Sequence, residues 1–167
     1  MKILIISDTH DNKAFFKRLG EWLTDRELDT AIHAGDHISP FTIDWMGEAG
    51  IKMLYGVLGN NDGEVKLLYK KYSDKNWILK DLINDFEIDG VKIAVNHGTM
   101  TELPRILAES GRYDVVVYGH THHKHLEWIG NTLLLNPGEA CGYLTGISTY
   151  MVLDINKMEV EEVRLNL

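Results

Sequence analysis

Short apolar runs that each end in a cluster of polar residues are the feature that most constrains this fold. The runs occupy residues 3–6, 30–32, 53–58, 91–95 and 114–118. Short apolar runs rich in β-branched residues predict buried strands. The clusters that follow them are Asp8-Thr9-His10, Gly35-Asp36, Gly59-Asn60-Asn61-Asp62, Asn96-His97-Gly98 and Gly119-His120-Thr121-His122. The sequence therefore predicts five strands, each with chemically active side chains at its end.

Helical patterns separate these predicted strands. Residues 11–26 place bulky apolar side chains on one face of a helix. Shorter helical patterns follow at 41–48, 65–72 and 102–109. The last contains Pro104 in its first turn, where proline is tolerated. Strands and helices alternate as far as the fifth cluster, and this order is typical of α/β folds.

The second half of the chain predicts three antiparallel strand pairs. The turn residues Asp89-Gly90 join 86–88 to 91–95, and such a dipeptide is a strong hairpin signal. The other two pairs are 126–128 with 132–135, around Gly130-Asn131, and 149–154 with 159–165, around Asn156-Lys157. Because no internal repeat or linker interrupts the sequence, residues 1–167 predict one α/β domain with two mixed sheets.

The length and charge of the chain restrict its partners. The chain has 167 residues, of which 44% are hydrophobic, enough for a full core. Its formal net charge of −8 comes from 25 acidic and 17 basic residues. This balance disfavours binding to a nucleic-acid backbone, and no stable nucleic-acid complex is expected. Two bound divalent cations would offset part of the charge, although a solvated acidic surface is the commoner reason for such a count.

Cysteine usage and hydropathy predict a cytoplasmic protein. Cys141 is the single cysteine, so no internal disulfide can form, and a reducing compartment is expected. A small buried hydrophobic group is the expected role of Cys141, rather than a nucleophile. The apolar stretch at 3–6 is too short for a signal peptide. No stretch approaches the roughly 18 apolar residues of a membrane span, so no membrane contact is expected.

The residue types in the five clusters predict a metal site. Ligands of open α/β sheets gather beyond the carboxyl ends of the strands, where all five clusters fall. Asp8 and His10 are two residues apart, as are His120 and His122, and each pair would point the same way from an extended strand end. Imidazole, carboxylate and amide groups suit manganese, iron, nickel, cobalt or zinc. Each cluster alone is more often a turn or a helix cap, but the ordered set of five favours one hydrolytic two-metal centre.

The ordered clusters resemble the calcineurin-like metallophosphoesterase superfamily. The pattern of that superfamily runs D-x-H, G-D, G-N-x-D, a His before Gly, and G-H-x-H. The resemblance extends from Asp8 to His122. Two further segments, Asp11-Asn12 and Asn136-Pro137-Gly138, are similar to its small bacterial and archaeal phosphodiesterase branch. The resemblance implies a four-layer αββα sandwich, in which two mixed sheets pack between helices, and a small phosphodiester as substrate.

The same resemblance implies seven metal ligands and two divalent cations. The first cation would be bound by Asp8, His10 and His122, the second by Asn60, His97 and His120, and Asp36 would bridge them. Manganese or nickel is expected, with iron, cobalt and zinc as alternatives. Two cations roughly 3.5–4 Å apart can hold a phosphate oxygen and a shared hydroxide for in-line attack on phosphorus.

Three residues are predicted to act in the chemistry itself. Asp36 can bridge two cations because a carboxylate offers two oxygens. Asp62 is interpreted as a residue that orients its neighbours, with simple turn stabilisation as the alternative. Asn61 stands where many relatives carry a histidine that donates a proton or contacts phosphate. An amide can hydrogen-bond to a phosphate oxygen but is no general acid, so activated diesters are the expected substrates.

Four histidines lie outside the pattern, namely His33, His37, His123 and His125. His37 and His123 are candidates for residues that line the substrate pocket. A histidine at the surface or behind the ligands is the commoner outcome for each.

Several other functions stay open at this point. The superfamily includes a retromer subunit that acts as a protein-binding scaffold, but this chain keeps suitable residues at all seven ligand positions. Nucleotide pyrophosphatase, phosphomonoesterase and protein phosphatase activities are the alternatives among enzymes. Residues 138–143 could form a pocket rim or a dimer contact, so a homo-oligomer is also considered.

Overall fold

The computed structural model describes residues 1–166 and contains four helices and eleven strands over that range. In chain order they are β1 (Lys2–Ile6), α1 (Lys13–Leu23), β2 (Thr30–His33), α2 (Phe41–Glu48), β3 (Met53–Val57), α3 (Val65–Asp74), β4 (Ile78–Lys80), β5 (Asn84–Ile88), β6 (Val91–Val95), α4 (Leu103–Glu109), β7 (Val115–Val117), β8 (Lys124–Ile129), β9 (Thr132–Pro137), β10 (Ser148–Asp154) and β11 (Glu159–Leu165). The final residue of the predicted domain, Leu167, lies outside the described range.

The predicted helices and strand pairs are present, with small shifts at their ends. Helix α1 begins at Lys13 because the Asn12 side chain accepts hydrogen bonds from the backbone N–H groups of Ala14 and Phe15. One strand was not predicted. Strand β4 has three residues and buries only Leu79, so its sequence carries no usable alternation. No helix within residues 1–166 has the length and apolarity that a membrane span requires.

The strands form two mixed sheets. The first sheet has the strand order β11-β10-β1-β2-β3-β4, and the second has β5-β6-β7-β9-β8. In the first, β1, β2, β3 and β4 run parallel to one another. In the second, β6, β7 and β9 are parallel. The carboxyl ends of the parallel strands in each sheet therefore lie along one edge, from which the five polar clusters emerge.

Alternating side chains of the central strands enter different apolar layers. Leu4 and Ile6 of β1 pack with α1, α2 and α3 in one cluster of buried residues. Their neighbours Ile3 and Ile5 pack against strands of the second sheet. On the far side of that sheet, Ala94 of β6 packs with residues of α4 and β7. Helices thus cover the outer face of each sheet, which confirms the predicted four-layer sandwich.

Backbone hydrogen bonds join the loops at the carboxyl ends of the strands. Asp8 N–H donates to the Gly35 carbonyl (3.1 Å), which links the loops after β1 and β2. Ala140 N–H donates to the Ser7 carbonyl (3.0 Å), which links the loop after β1 in the first sheet to the loop after β9 in the second. These loops form one continuous surface across both sheets.

Close packing beneath these loops makes one glycine necessary. Tyr72 of α3 is buried, and its hydroxyl donates to Nε2 of His37 (2.8 Å). The hydroxyl passes directly over Gly56 in β3, where a Cβ atom would lie 2.2 Å from the Tyr72 oxygen. A side chain at position 56 therefore cannot be added unless Tyr72 moves.

We expect Gly56→Ala to lower the free energy of unfolding by about 1–3 kcal/mol, the usual cost of overpacking a core. Urea denaturation of the chelator-treated protein, followed by circular dichroism, measures this change. The matched control is Gly47→Ala in α2, whose Cβ would meet the end of the flexible Lys75 side chain. The control should match the parent or exceed it slightly, because alanine favours helix. Equal stability of the two variants would contradict the packing argument.

Candidate metal centre

Two carboxylates form the centre of the polar surface. Asp8 and Asp36 follow β1 and β2, and both side chains are almost completely buried. Asp36 Oδ2 lies 3.4 Å from Nε2 of His97 and 3.5 Å from Nε2 of His10. Asp8 Oδ1 lies 3.4 Å from Nε2 of His122 and 3.8 Å from Nε2 of His10. His10 thus lies between the two carboxylates.

The other two predicted ligands lie beside the same groups. Asn60 Oδ1 is 3.1 Å from Nε2 of His97. The rings of His97 and His120 meet edge to face, with 5.1 Å between their centroids. The His120 backbone N–H also donates to Oδ2 of Asp8 (3.0 Å). The structure therefore brings together all seven side chains that the sequence selected, although their division between two cations stays a prediction.

Hydrogen bonds on the far side of two rings leave the inward nitrogens free to bind metal. His97 Nδ1 donates to the Ala34 carbonyl (2.7 Å), and His122 Nδ1 donates to the Glu139 carboxylate (2.5 Å). Each ring then presents Nε2 to a carboxylate. This arrangement on the outer nitrogen is the one that fixes metal-binding histidines in proteins.

The side chains present fit a divalent cation. Asp8 Oδ1 and His10 Nε2 are buried and have no hydrogen-bond partner. Two buried carboxylates this close to one another call for positive charge beside them. Burial lowers the pKa of His97, but the adjacent Asp36 carboxylate outweighs burial and raises the pKa above its ordinary value. A bound cation would satisfy both the orphaned atoms and the charge.

Asn61 braces Asp36. Its backbone N–H donates to Oδ1 of Asp36 (2.9 Å), and its Nδ2 donates to Oδ2 (2.8 Å). Burial favours a higher pKa for Asp36, but hydrogen bonding and charge from His97, together with these Asn61 donors, hold the pKa well below its ordinary range. The amide that we predicted to face a phosphate oxygen is therefore engaged with the carboxylate.

The backbone of the site differs from the predicted extended geometry. Positive φ angles occur at Asp8 (53°), His10 (42°), Asp36 (59°), His120 (66°) and His122 (60°). The prediction that Asp8 and His10 project from an extended strand end is therefore wrong, because β1 ends at Ile6 and the chain then turns. Left-handed conformations cost non-glycine residues roughly 1–2 kcal/mol each, so the surrounding hydrogen bonds must hold them.

Asp62 lies at the centre of a buried hydrogen-bond network. Its Oδ2 accepts from Gly59 N–H (2.7 Å) and from Nδ1 of His37 (3.0 Å), and its Oδ1 accepts from Ile38 N–H (2.8 Å). Burial favours a higher pKa for Asp62, but these contacts lower it below the ordinary value. With Tyr72 on its other nitrogen, His37 is fully engaged and buried. Asp62 thus orients the loops on both sides, and His37 does not line a substrate pocket.

The remaining histidines outside the pattern have varied surroundings. His33 is buried, its Nδ1 accepts from Gly35 N–H (3.2 Å) and its Nε2 donates to the Thr9 hydroxyl (3.0 Å). Burial lowers the pKa of His33 well below its ordinary value. His123 is exposed, whereas His125 is half-buried and contacts the Tyr118 hydroxyl (2.8 Å). Of the two pocket candidates, only His123 is accessible.

Sequence reasoning missed the role of Glu139. This carboxylate follows β9, is completely buried, and accepts from His122, Leu144 and Thr145. Burial alone would raise the pKa of Glu139, but the hydrogen bonds from His122, Thr145 and Leu144 lower it to about 2. An acidic residue shortly after the apolar run at 133–135 was the available signal, and Asn136-Pro137-Gly138 between them concealed that signal as an ordinary turn.

The thiol of Cys141 is also close to the site. It is buried, and burial raises its pKa to about 12, in keeping with a role other than a nucleophile. Its Sγ lies in one group with ring nitrogens of His10 and His122, all within 4.8 Å of one another. No sequence pattern indicated that the thiol would lie beside the ligands.

Comparison with known proteins identifies a matching family and a similar relative. Residues 1–158 match the calcineurin-like phosphoesterase superfamily domain. "Phosphodiesterase MJ0936" of Methanocaldococcus jannaschii is 40% identical over 168 residues, covering 99% of each chain.

Solved structures agree with this assignment. A structure described as a novel archaeal phosphodiesterase superposes with a TM-score of 0.92 at 40% identity, covering 99% of this chain and 100% of the other. Vps29 of Entamoeba histolytica, described as complexed with zinc, gives a TM-score of 0.71 at 22% identity, covering 99% and 100%. The second likeness shows the fold alone. On the family match and the 40% identity, the chain belongs to the calcineurin-like phosphoesterase superfamily.

Proposed function

We propose that the protein is a metal-dependent phosphodiesterase with two divalent cations at its centre, and that residues 1–167 act as one catalytic domain. The observation that supports this most directly is the meeting of seven ligand-type side chains around Asp8 and Asp36. A relative that is 40% identical over nearly its full length is itself named a phosphodiesterase. The complete ligand set argues against a scaffold without catalysis.

The proposed division of ligands between the cations is the one that the family resemblance implies. Under this proposal the first cation is held by Asp8, His10 and His122, the second by Asn60, His97 and His120, and Asp36 contacts both. Manganese or nickel suits these imidazole and oxygen ligands. Two such cations, when bound, draw charge from a phosphate oxygen and lower the pKa of a water molecule that attacks phosphorus in line.

The residues of the chain then have separate tasks. Asn61 keeps both oxygens of Asp36 in place through its two hydrogen bonds. Asp62 holds the loop that carries Asn60 and Asn61, since it accepts from Gly59 and Ile38 N–H. No acidic proton is offered by Asn61, so a good leaving group is favoured over a poor one. An activated small phosphodiester is the substrate class that fits these limits.

We expect hydrolysis of bis(p-nitrophenyl) phosphate to stop after removal of divalent metal and to return with added manganese or nickel. The reason is that the proposed nucleophile is a metal-activated water, and the buried Cys141 thiol beside the ligands, with a pKa of about 12, is a poor substitute. The measurement is release of p-nitrophenolate by apo and reconstituted protein, together with the number of cations bound per chain. Undiminished turnover in metal-free protein would refute the proposal.

A matched pair of variants serves as control for that experiment. Asp36→Asn retains the shape of the side chain and tolerates the left-handed backbone, but it removes the shared charge. It should lower turnover by at least roughly 10²-fold, since even residues behind a ligand cost about 10–100-fold. Asp29→Asn changes a surface carboxylate paired with Lys52 and should act like the parent.

A second expectation concerns leaving groups. In the parent, the rate should depend steeply on leaving-group pKa across a series of aryl phosphodiesters, because Asn61 donates no proton. Asn61→His should flatten this dependence, with a relative gain for poor leaving groups of at most roughly 10²–10⁴-fold. The slope is the readout, because loss of the Asn61 side-chain contact to Asp36 will lower all rates together.

Asn61→Ala separates the two effects. It removes the side-chain contact to Asp36 without adding an imidazole, so its rates should fall while its slope stays steep. A parent whose rate is insensitive to leaving-group pKa, under conditions where chemistry is rate-limiting, would overturn this expectation. The exposed His123 would then be the first residue to test as proton donor.

A further inference from the structure

Glu139 is a buried charge that the proposed chemistry does not use. Its side chain is completely buried, and its partners within residues 1–166 include no lysine or arginine. One oxygen accepts from the hydroxyl and backbone N–H of Thr145. The other accepts from Nδ1 of His122 (2.5 Å), and Leu144 N–H approaches both oxygens. A buried carboxylate is costly unless several donors surround it, so this group is held for a specific arrangement.

The backbone that carries Glu139 is tied to the backbone that carries Asp8. Gly138 N–H donates to the Asn136 side chain (2.9 Å), which closes the turn after β9. Ala140 N–H then donates to the Ser7 carbonyl (3.0 Å), and Cys141 N–H donates to the Asp8 carbonyl (3.1 Å). The carboxylate therefore has a fixed position relative to the first candidate cation site.

The two sites differ in what supports their histidines. His97 donates its outer proton to a neutral carbonyl, that of Ala34. His122 donates its outer proton to a carboxylate, that of Glu139. A charged acceptor fixes the tautomer more firmly and makes the ring a stronger electron donor. The side chain of His122 also needs this support more, because it is 12% exposed and that of His97 only 3%.

We infer that Glu139 is a positioning residue: it holds His122 with Nε2 directed at the first cation and ties this ligand to the loop at 141–147. The inference rests on the ligand assignment of the proposed function. Under this inference, the affinity of the first cation site depends on the buried negative charge of Glu139, which lies behind the ligand His122.

The test is a calorimetric titration of chelator-treated Glu139→Gln with manganese. We expect the affinity of one site to fall about 10–100-fold and that of the other to stay unchanged. In metal-free protein, ¹⁵N NMR of the histidine rings should show His122 with its proton on Nδ1 in the parent and a mixture of tautomers in the variant. Glu139→Asp, which keeps the charge but has a shorter reach, takes the place of Glu139→Gln should that variant not fold.

Two further variants separate positioning from a purely structural role. Thr145→Val removes one donor from the loop but keeps the Glu139 to His122 contact, and it should bind manganese as the parent does. In a His122→Ala background, Glu139→Gln should cause no additional loss of affinity, because the contact through which it acts is already absent.

The outcomes distinguish this inference from the proposed function. A parent that binds no divalent cation overturns the proposed function and the inference with it. A parent that binds two cations, with Glu139→Gln equal to it in both affinities and in the His122 tautomer, overturns the inference alone. If Glu139→Gln lost as much affinity in the His122→Ala background as in the parent, Glu139 would act by stabilising the loop, and the inference would also be overturned. The same conclusion would follow if Thr145→Val lost as much affinity as Glu139→Gln.

Discussion

The approach of two buried carboxylates, Asp8 and Asp36, is the interaction around which the rest of the site is organised. Their side chains are almost inaccessible to solvent, and they share the His10 ring between them. Negative charge in such a position must be balanced by protons, by hydrogen bonds or by cations. Histidines from both sheets and the Asn61 amide supply part of this balance. Asp8 Oδ1 has no hydrogen-bond partner, so the charge balance is incomplete at this atom.

Sequence reasoning recovered the helices and every strand except β4, and it placed the seven candidate ligands near one another, because these features depend on local pattern. That the seven residues bind metal stays a prediction. Apolar runs report burial, and strand ends of parallel sheets share one edge, so residues such as Asp8 and His97 could be brought together without coordinates. The short strand β4 gave no pattern because it buries only Leu79. The turns at Asp8 and His10 were missed because positive φ angles of non-glycine residues are imposed by tertiary contacts.

Residues behind the ligands were the hardest to predict, for a related reason. Glu139 lies 17 residues from His122, and Asp62 lies 25 residues from His37, so no sequence window contains both partners. Whether such a carboxylate faces solvent or a ring is decided by how the loops after β3 and β9 fold over the strand ends. Asn61 is a similar case, since its amide hydrogen-bonds to Asp36, a partner 25 residues away in the sequence.

The left-handed backbone of five predicted ligands has a thermodynamic consequence. Each strained residue raises the free energy of the folded chain by roughly 1–2 kcal/mol, while ligands already in place need little reorganisation to bind a cation. By linkage, a cation at 100 times its dissociation constant would return about 2.7 kcal/mol to the folded state. Metal binding would then stabilise the folded chain as well as supply its chemistry, and the folded fraction would rise with the concentration of the cation.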